Sequence, residues 1–215
     1  MQSRKSIQNL RREYKLNKLS EESVHKNPVK QLDKWFKDIL KLNLLVPNAM
    51  ILSTANLKAK PSARVVLLKE LSEKVLTFFT NYSSLKGKNL LENSFASLLF
   101  FWAELERQVR IEGKIKKISK TESQKYFNTR PTESQLAAWA SEQSSVIPDR
   151  DYLEKRFQKF KEQFKGKRIP MPNNWGGFIL VPEYFEFWQG RENRLHDRIC
   201  YKMQKGKWKI FRLAP

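Results

Sequence analysis

The first clear hydrophobic pattern in the chain is a helical repeat that follows Pro28. Five apolar side chains recur there at helical spacing: Leu32, Trp35, Phe36, Ile39 and Leu40. This spacing places them on one face of a helix, and proline is favoured in the first helical turn. We predict a helix that begins at Pro28 and ends near Pro47.

Strand-like apolar runs dominate the remainder of the chain. We predict strands at 49–55, 63–71, 75–80, 95–102, 108–118, 177–181, 184–189, 195–201 and 208–213. Helices are predicted at 84–92, 121–128 (with Thr121 near the N-cap), 134–141 and 149–164. Strands joined by hairpin-length turns, without strand–helix alternation, indicate a mainly β fold with flanking helices. We predict a closed or split antiparallel β-barrel.

Residues 1–27 are polar and show no hydrophobic period, so we predict a flexible N-terminal segment followed by a single domain over 28–215. The segment is charged throughout and lacks the apolar stretch of a signal peptide. The longest apolar run, 95–103, is shorter than the roughly 20 residues of a membrane-spanning helix. We therefore predict a soluble, cytoplasmic protein without a membrane partner.

The charge balance favours anionic ligands. The chain has 42 Lys and Arg residues against 22 Asp and Glu residues, a formal net charge of +20. These cations are scattered over the chain and form neither a basic helix nor an aromatic-laced basic stripe. The charge therefore supports small anions in general, and we expect no nucleic-acid partner.

Several kinds of chemistry are excluded by composition. Cys200 is the only cysteine, so there is no internal disulfide and no thiolate metal site. Two histidines are too few for a histidine-rich metal site, and seven glycines form neither a dinucleotide fingerprint nor a P-loop. Any redox or transfer chemistry must come from a bound organic cofactor.

The segment 187–198 carries the most informative cluster. If residues from Arg194 onward form a strand, the alternation of side chains puts Arg194, His196 and Arg198 on one face. Three cationic or potentially cationic groups side by side repel one another, so they suit an anion or an electron-rich ligand. A solvated strand face is the alternative interpretation.

Three further groups of residues could bind phosphate or a heterocycle. Arg64 and Lys69 bracket an apolar strand, although strict alternation puts them on opposite faces unless the strand bulges. The run from Thr80 to Lys86 ends a strand and starts a helix, which suits a phosphate or a plain serine N-cap. Polar side chains that could join such sites are Gln108, Gln143 and Ser144.

Tyr126, Arg130 and Ser134 form a possible phosphate clamp because they lie four residues apart in sequence. A phenol, a guanidinium and a hydroxyl that converge would bind a phosphate well. The alternative is a surface arginine stacked on a tyrosine.

Taken together, these motifs resemble the pyridoxine/pyridoxamine 5'-phosphate oxidase family. The matching motifs run in family order from residue 11 to the last residue: 11–14 (Arg-Arg-Glu-Tyr), 64–69, 105–108, 126–135, 143–145, 175–177, 187–190, 194–198 and 212–215. The C-terminal motifs are highly specific, whereas 64–69 alone is not. One departure is Leu85, which stands where the family usually has arginine.

The resemblance implies a homodimeric split barrel that binds FMN at the subunit interface. It implies that pyridoxine 5'-phosphate and pyridoxamine 5'-phosphate are oxidised to pyridoxal 5'-phosphate by hydride transfer to FMN, with O2 as the electron acceptor and H2O2 as product. The residues it assigns to FMN are Arg64, Val65, Val66, Leu67, Leu68, Lys69, Phe79, Thr80, Lys86, Gln108, Gln143, Ser144, Trp188 and Arg198.

The resemblance also implies the substrate site. The residues it assigns to the substrate phosphate are Lys69, Tyr126, Arg130 and Ser134. Arg194 and His196 are implied to lie over the pyridine ring as the catalytic pair, and Arg11 and Tyr14 to belong to an N-terminal segment that covers the site. Two other functions fit the residues less well: a split-barrel flavoprotein that uses a nicotinamide as donor, and a non-catalytic basic module for nucleic acid or heme.

Overall fold

A computed structural model describes residues 7–10, 12–72 and 74–215. Its helices are α1 (Pro28–Leu40), α2 (Leu85–Glu92), α3 (Lys120–Thr129), α4 (Thr132–Ala140) and α5 (Arg150–Gln163). Its strands are β1 (Ala49–Ala55), β2 (Pro61–Leu67), β3 (Glu70–Leu71), β4 (Leu76–Asn81), β5 (Phe95–Trp102), β6 (Arg107–Lys117), β7 (Trp175–Gln189), β8 (Asp197–Gln204) and β9 (Lys207–Arg212). Single 3₁₀ turns occupy Ala103–Leu105 and Glu192–Arg194.

The strands of the described residues belong to one sheet in the order β2-β1-β5-β6-β7-β4-β3, and β8 pairs with both β7 and β9. Antiparallel pairing joins β1 to β2, β3 to β4, β4 to β7, β7 to β8 and β8 to β9. The prediction of a mainly antiparallel fold with flanking helices is thereby confirmed.

The chain divides into two compact units. The first comprises the described part of Met1–Pro47 together with Leu99–Ile111 and Glu183–Pro215, and the second comprises Asn48–Leu98 and Glu112–Pro182. In the first unit α1 buries Leu32, Trp35 and Ile39, and the Trp35 ring packs edge-on against Phe187 with centroids 5.1 Å apart. In the second unit a cluster of buried apolar residues underlies α3 and α4: Phe127, Leu136, Ile169, Met171 and Trp175.

Local capping explains where the helices begin. Asn27 accepts the N–H of Val29 at 2.9 Å and starts α1, and Ser84 caps α2 through the N–H of Gly87. Thr121, which we predicted near the N-cap of the next helix, lies two residues after that cap. Ser119 is the cap, and Glu122 completes a reciprocal capping box, which satisfies two backbone donors at once.

Other predicted boundaries also need correction. Helix α1 ends at Leu40 rather than near Pro47, since the chain turns through Asn43 with φ of +49°. The predicted strand 63–71 is two strands, because Leu68 pairs with Asn48 and Lys69 with Thr77, which takes the chain from β2 to β3. Strands predicted separately at 177–181 and 184–189 are one strand, β7, which continues through Pro182.

The predicted strand 195–201 is also wrong at its start. Asn193 and Arg194 adopt left-handed backbone conformations, with φ of +56° and +62°, and strand β8 begins only at Asp197. Arg194 lies in the 3₁₀ turn and only Arg198 lies in the strand. The three side chains therefore do not share a strand face by alternation, and the prediction that one strand places them together is wrong.

Candidate active site

A cavity of about 590 Å³ lies within the second unit, between β2, β4, α2, α3 and α4. We call it the cationic cavity. Among the residues predicted from sequence, those that line it are Val65, Val66, Leu67, Lys69, Phe79, Thr80, Lys86, Tyr126, Arg130, Ser134 and Gln143. The lining residues that were not predicted are Asn81, Thr129, Pro131, Ala137, Ala138, Ser141 and Trp175. These lining residues include three cations and no carboxylate, so the cavity suits an anion.

Arg130 is held at the C-terminal end of α3 by its position as the helix cap. Its guanidinium carbon lies 4.8 Å from the ring centroid of Trp175, a cation–π contact. Its Nη1 atom is buried, and no described residue offers it a hydrogen-bond acceptor. Burial lowers the pKa of Arg130, and Tyr126 partly offsets this. A buried charged donor without an acceptor is unfavourable, so this atom points to a ligand oxygen.

Three aromatic rings form one wall of the cationic cavity. Phe79 stacks on Tyr126 with centroids 3.9 Å apart, and on its other neighbour, Trp175, at 5.5 Å. Phe79 comes from β4, Tyr126 from α3 and Trp175 from the start of β7. The wall can support a planar ligand, and it orients Tyr126 beside Arg130.

Lys86 provides a second cationic point at the start of α2. Its Nζ donates to Gln143 Oε1 at 2.7 Å and to Ser84 Oγ at 3.2 Å. Thr80 Oγ1 donates to the same Gln143 oxygen at 3.3 Å. Burial, helped by the nearby positive charge of Arg64, lowers the pKa of Lys86 to about 8. Because no acid neutralises this lysine among the bonds above, a bound anion would stabilise its protonated form.

A second cavity, of about 600 Å³, lies within the first unit. We call it the aromatic cavity; it is lined by Leu10, Arg12, Glu13, Tyr14, Trp188, Arg191, Asn193, Arg194 and His196. Its core is a cluster of three rings: the Tyr14 ring lies 5.6 Å from both Trp188 and His196, and those two are 4.6 Å apart. The structure thus brings Tyr14, Trp188, Arg194 and His196 together around one cavity, and a turn rather than a strand positions Arg194 and His196.

The protonation state of His196 follows from its contacts. Its Nδ1 accepts the backbone N–H of Arg191 at 3.1 Å, so in the neutral ring the proton resides on Nε2. Burial and then the charge of Arg194 lower the pKa of His196, and Asp197 partly opposes them. The ring is therefore a neutral Nε2–H donor at neutral pH.

Arg198 makes hydrogen bonds within the sheet that could not be predicted from the sequence. Its Nε and Nη2 donate to the two carboxylate oxygens of Glu186 at 2.8 and 3.0 Å, and its Nη1 donates to the Ala214 carbonyl at 2.7 Å. Glu186, which is buried, also accepts from Arg110 Nη2 at 2.7 Å. Burial opposes ionisation of Glu186, but Arg198 and Arg110 outweigh it and lower its pKa.

Several residues assigned by the family resemblance do not line either cavity. Arg64 donates instead to Leu52 O and Thr54 Oγ1, and Leu68 is part of the core. The remaining ones are Gln108 and Arg198, which are half-buried on strands, and Ser144, which is exposed with φ of +72°. Arg11 lies outside the described residues. Leu85 is the first residue of α2 and is exposed.

Sequence reasoning missed residues that support the site rather than form it. Trp175 lay within the 175–177 motif but was given no role, although a tryptophan directly before two glycines was a usable signal. Glu106 and Gly190 also lay within recognised motifs. Both contact the N-terminal segment, which is far away in sequence, and no local pattern predicts such contacts.

Comparison with known proteins identifies the family. A family model described as pyridoxamine 5'-phosphate oxidase matches residues 36–164, more than half of the chain. The chain belongs to the pyridoxamine 5'-phosphate oxidase family. A second model, described as the pyridoxine 5'-phosphate oxidase C-terminal dimerisation region, matches residues 175–215. This match supports the predicted homodimer.

Curated members of the family resemble this chain over nearly its whole length. A pyridoxine/pyridoxamine 5'-phosphate oxidase from Nostoc punctiforme is 51% identical over 212 residues, which cover 98% of this chain and 99% of the relative. The protein of the same name from Cupriavidus necator is 50% identical over 210 residues, covering 97% and 99%. The family resemblance inferred from the motifs is thereby confirmed.

Solved structures confirm the predicted split-barrel fold. PhzG from Burkholderia lata, in complex with tetrahydrophenazine-1-carboxylic acid, aligns with a TM-score of 0.87 at 27% identity, over 93% of this chain and 99% of that one. A pyridoxamine 5'-phosphate oxidase-related, FMN-binding protein from Nostoc punctiforme aligns with a TM-score of 0.69 at 15% identity, over 90% and 99%. None of the helices in the described part of the chain is long and apolar enough to cross a membrane.

Proposed function

We propose that this protein oxidises pyridoxine 5'-phosphate and pyridoxamine 5'-phosphate to pyridoxal 5'-phosphate as an FMN-dependent homodimer. O2 is the electron acceptor and H2O2 the second product. The observation that carries the proposal is the cationic cavity, whose Arg130 has a buried donor that no described residue satisfies. A phosphate group, present in both the cofactor and the substrates, supplies the oxygen acceptors that this cavity lacks.

The residues of the cationic cavity fit two phosphorylated ligands. Lys86, Thr80 and Gln143 form one polar group near the start of α2, which suits the FMN phosphate, with Arg64 adding positive charge behind them. The main-chain stretch of Val65, Val66 and Leu67 lines the same cavity. When bound, FMN supplies the hydride-accepting chemistry that no amino-acid side chain can provide.

The substrate phosphate belongs at Arg130. Tyr126 and Ser134 line the cavity beside it, and Lys69 adds a further cation. A guanidinium that lies over Trp175 is already fixed in direction, so it loses little freedom when it binds a phosphate. Anchoring the phosphate restricts where the pyridine ring can lie. The free energy of phosphate binding thereby helps to orient the reacting carbon.

The residues of the aromatic cavity act on the pyridine end of the substrate. His196, with its proton on Nε2, donates a hydrogen bond to the substrate oxygen or nitrogen. Arg194 would lie against the substrate ring and steady charge in the transition state, while Trp188 belongs with the flavin. Tyr14 covers this cavity and excludes water. Roles for Arg11, Leu68, Gln108, Ser144 and Arg198, and a cytoplasmic location, stay predictions.

The test is an oxidase assay on purified protein. Apoprotein loaded with FMN and mixed with pyridoxine 5'-phosphate in air should form pyridoxal 5'-phosphate and H2O2 in equal amounts. Yellow protein that is reduced only by a nicotinamide would contradict the proposal in favour of another split-barrel flavoprotein. Protein that binds no flavin at all would favour a non-catalytic module.

A further inference from the structure

The N-terminal residues on both sides of Tyr14 are bound by a single carboxylate. Glu106 Oε2 accepts the backbone N–H groups of Lys15 at 2.8 Å and Leu16 at 3.1 Å. Its other oxygen, Oε1, lies 3.7 Å from Arg12 Nη2. The amide of Lys15 is bonded directly to the carbonyl carbon of Tyr14, so Glu106 fixes the peptide that carries the tyrosine.

Glu106 is itself held in an unusual position. It ends the 3₁₀ turn Ala103–Leu105 in a left-handed conformation, with φ of +54°, and its side chain is only 3% exposed. A carboxylate this deeply buried is costly unless donors surround it. The donors here are the main chain and Arg12 of the N-terminal segment. The contact therefore favours one position of that segment over others.

Gly190 provides the surface on which Tyr14 lies. A Cβ atom at Gly190 would approach the Cβ and Cγ atoms of Tyr14 to 2.7 Å, closer than real contacts allow. Gly190 N–H in turn donates to the main-chain oxygen of Glu106 at 2.8 Å. One residue, Glu106, thus positions the Gly190 backbone through its carbonyl and the Tyr14 backbone through its carboxylate.

We propose that Glu106 and Gly190 are positioning residues that seat Tyr14 against Trp188 and His196 and thereby close the aromatic cavity over the substrate. The seating of Tyr14 rests on the contacts above, whereas its consequence for substrate rests on the proposed function. Neither residue is among those that line the aromatic cavity. Their effect on the reaction is transmitted through the position of the Tyr14 ring.

A second attachment of the same segment lies further along. Leu19 N–H donates to Asp197 Oδ2 at 3.0 Å, and Arg212 bonds to both Asp197 and the Leu19 carbonyl. This attachment does not involve Glu106, so we expect it to persist when Glu106 is changed. Loss of Glu106 should therefore release residues 12–18 locally rather than the whole N-terminal segment.

The first experiment is limited trypsin digestion of the FMN-loaded, full-length protein, with mass spectrometry of the cuts after Arg12, Lys15 and Lys18. The variants are Glu106→Ala, Glu106→Gln and Gly190→Ala. We expect Glu106→Ala and Gly190→Ala to be cut at least about tenfold faster there, because cleavage requires local opening. Cuts after Lys165 and Lys167, in the other unit, provide the internal reference.

The conservative variant and the control sharpen the test. Both N–H groups bind the same oxygen, so the amide oxygen that Glu106→Gln introduces can still accept them, and this variant should be cut more slowly than Glu106→Ala. Glu192→Gln removes an exposed carboxylate 3.6 Å from the Lys15 side chain without touching a backbone amide, and should be cut like wild type. Wild-type cutting rates in both Glu106→Ala and Gly190→Ala would overturn the proposal; if Glu106→Ala does not fold, Gly190→Ala decides it.

Steady-state kinetics then tests whether the position of Tyr14 affects substrate binding. KM for pyridoxine 5'-phosphate should rise by about tenfold or more in Glu106→Ala and Gly190→Ala, with unchanged FMN content. If residues 12–18 open in these variants but KM is unchanged, the claim that Tyr14 closes the aromatic cavity over the substrate is overturned. Wild-type protein without oxidase activity would refute the proposed function, while the digestion would still decide whether Glu106 and Gly190 seat Tyr14.

Discussion

At the scale of single residues, the cationic cavity contains cationic side chains in unfavourable, buried positions. Arg130 has a buried donor that lacks an acceptor among the described residues, and Lys86 is a lysine with a pKa lowered to about 8. Both placements cost stability in the free protein and are relieved by a ligand with negative oxygens. Buried charge of this kind distinguishes a binding site from the scattered surface lysines that account for much of the net charge of +20.

Replacing Arg130 with Met should raise KM for pyridoxine 5'-phosphate about 10- to 100-fold, the value of hydrogen bonds to a charged group. FMN content should stay near wild type, because the FMN phosphate is proposed to bind at Lys86 instead. Inorganic phosphate should raise the melting temperature of wild type more than that of the variant. Arg150→Gln, at an exposed arginine of α5, is the matched control; an equal response of both variants to phosphate would refute this role of Arg130.

The affinity for FMN should depend on pH through Lys86. The free protein holds this lysine protonated below about pH 8, and an anion raises its pKa in the complex. Affinity should therefore be flat between about pH 7 and 8, where the FMN phosphate is already largely a dianion, and should fall above pH 8 by up to about tenfold per pH unit until the pKa of the complex is reached. Flavin titrations of apoprotein between about pH 6 and 10 measure this, and Lys86→Met should abolish the dependence; a flat wild-type profile contradicts it.

At the scale of elements, turns rather than strands position the candidate catalytic groups. Arg194 and His196 come from the 3₁₀ turn and the residues just after it, while Arg198 lies in β8, tied to Glu186 of β7. A turn with left-handed residues can direct side chains away from the alternation of a strand. Residues only two positions apart in sequence therefore have different surroundings: His196 lines the aromatic cavity, whereas Arg198 is bonded to Glu186 of the neighbouring strand.

Substitutions should separate these tasks. Arg194→Ala and His196→Ala should keep FMN and the melting temperature but lose activity, since neither supports the sheet. Arg198→Ala removes one of the two arginines on the buried Glu186 carboxylate, so it should lower the free energy of unfolding by about 1–3 kcal/mol.

Urea unfolding and steady-state kinetics on the three variants test this separation. Lys202→Ala, at an exposed position of the same strand, is the control and should stay within about 0.5 kcal/mol of wild type. If Arg198→Ala unfolds like wild type, the pairing of Arg198 with Glu186 has no structural importance.

At the scale of the whole molecule, the comparisons support association of two copies of the chain as a homodimer. The C-terminal residues 175–215 match a dimerisation region, and β7, β8 and β9 make up most of that stretch. The C-terminus is fastened to this sheet, because Arg198 binds the Ala214 carbonyl and Leu213 N–H donates to the Arg198 carbonyl. The last residues of the chain therefore keep a fixed position on the sheet when two subunits associate.

We expect the protein to sediment as a dimer, with about twice the 25.6 kDa mass of one chain. Because FMN is expected at the subunit interface, dilution to the monomer should release the flavin in parallel with dissociation. Sedimentation and flavin fluorescence over one dilution series measure both. A monomer that keeps its full flavin and activity would contradict the interface site.

Sequence alone determined the elements and the family. Helical and strand periodicities, a proline start and a serine cap depend on residues a few positions apart, so β1, β5 and α2 could be predicted nearly to the residue. Tyr126, Arg130 and Ser134 were recognisable for the same reason. The motifs identified the family because each is a short run of residues whose chemical character is evident from neighbouring positions in the sequence.

Only the tertiary structure decided which of these residues meet. The start of β8 was predicted wrongly because a left-handed turn has no hydrophobic period. Trp175 reaches Arg130, and Glu106 and Gly190 reach Tyr14, through tertiary packing, which brings together residues far apart in sequence. Such contacts depend on the free energy of the whole packed arrangement, and no window of neighbouring residues contains that information.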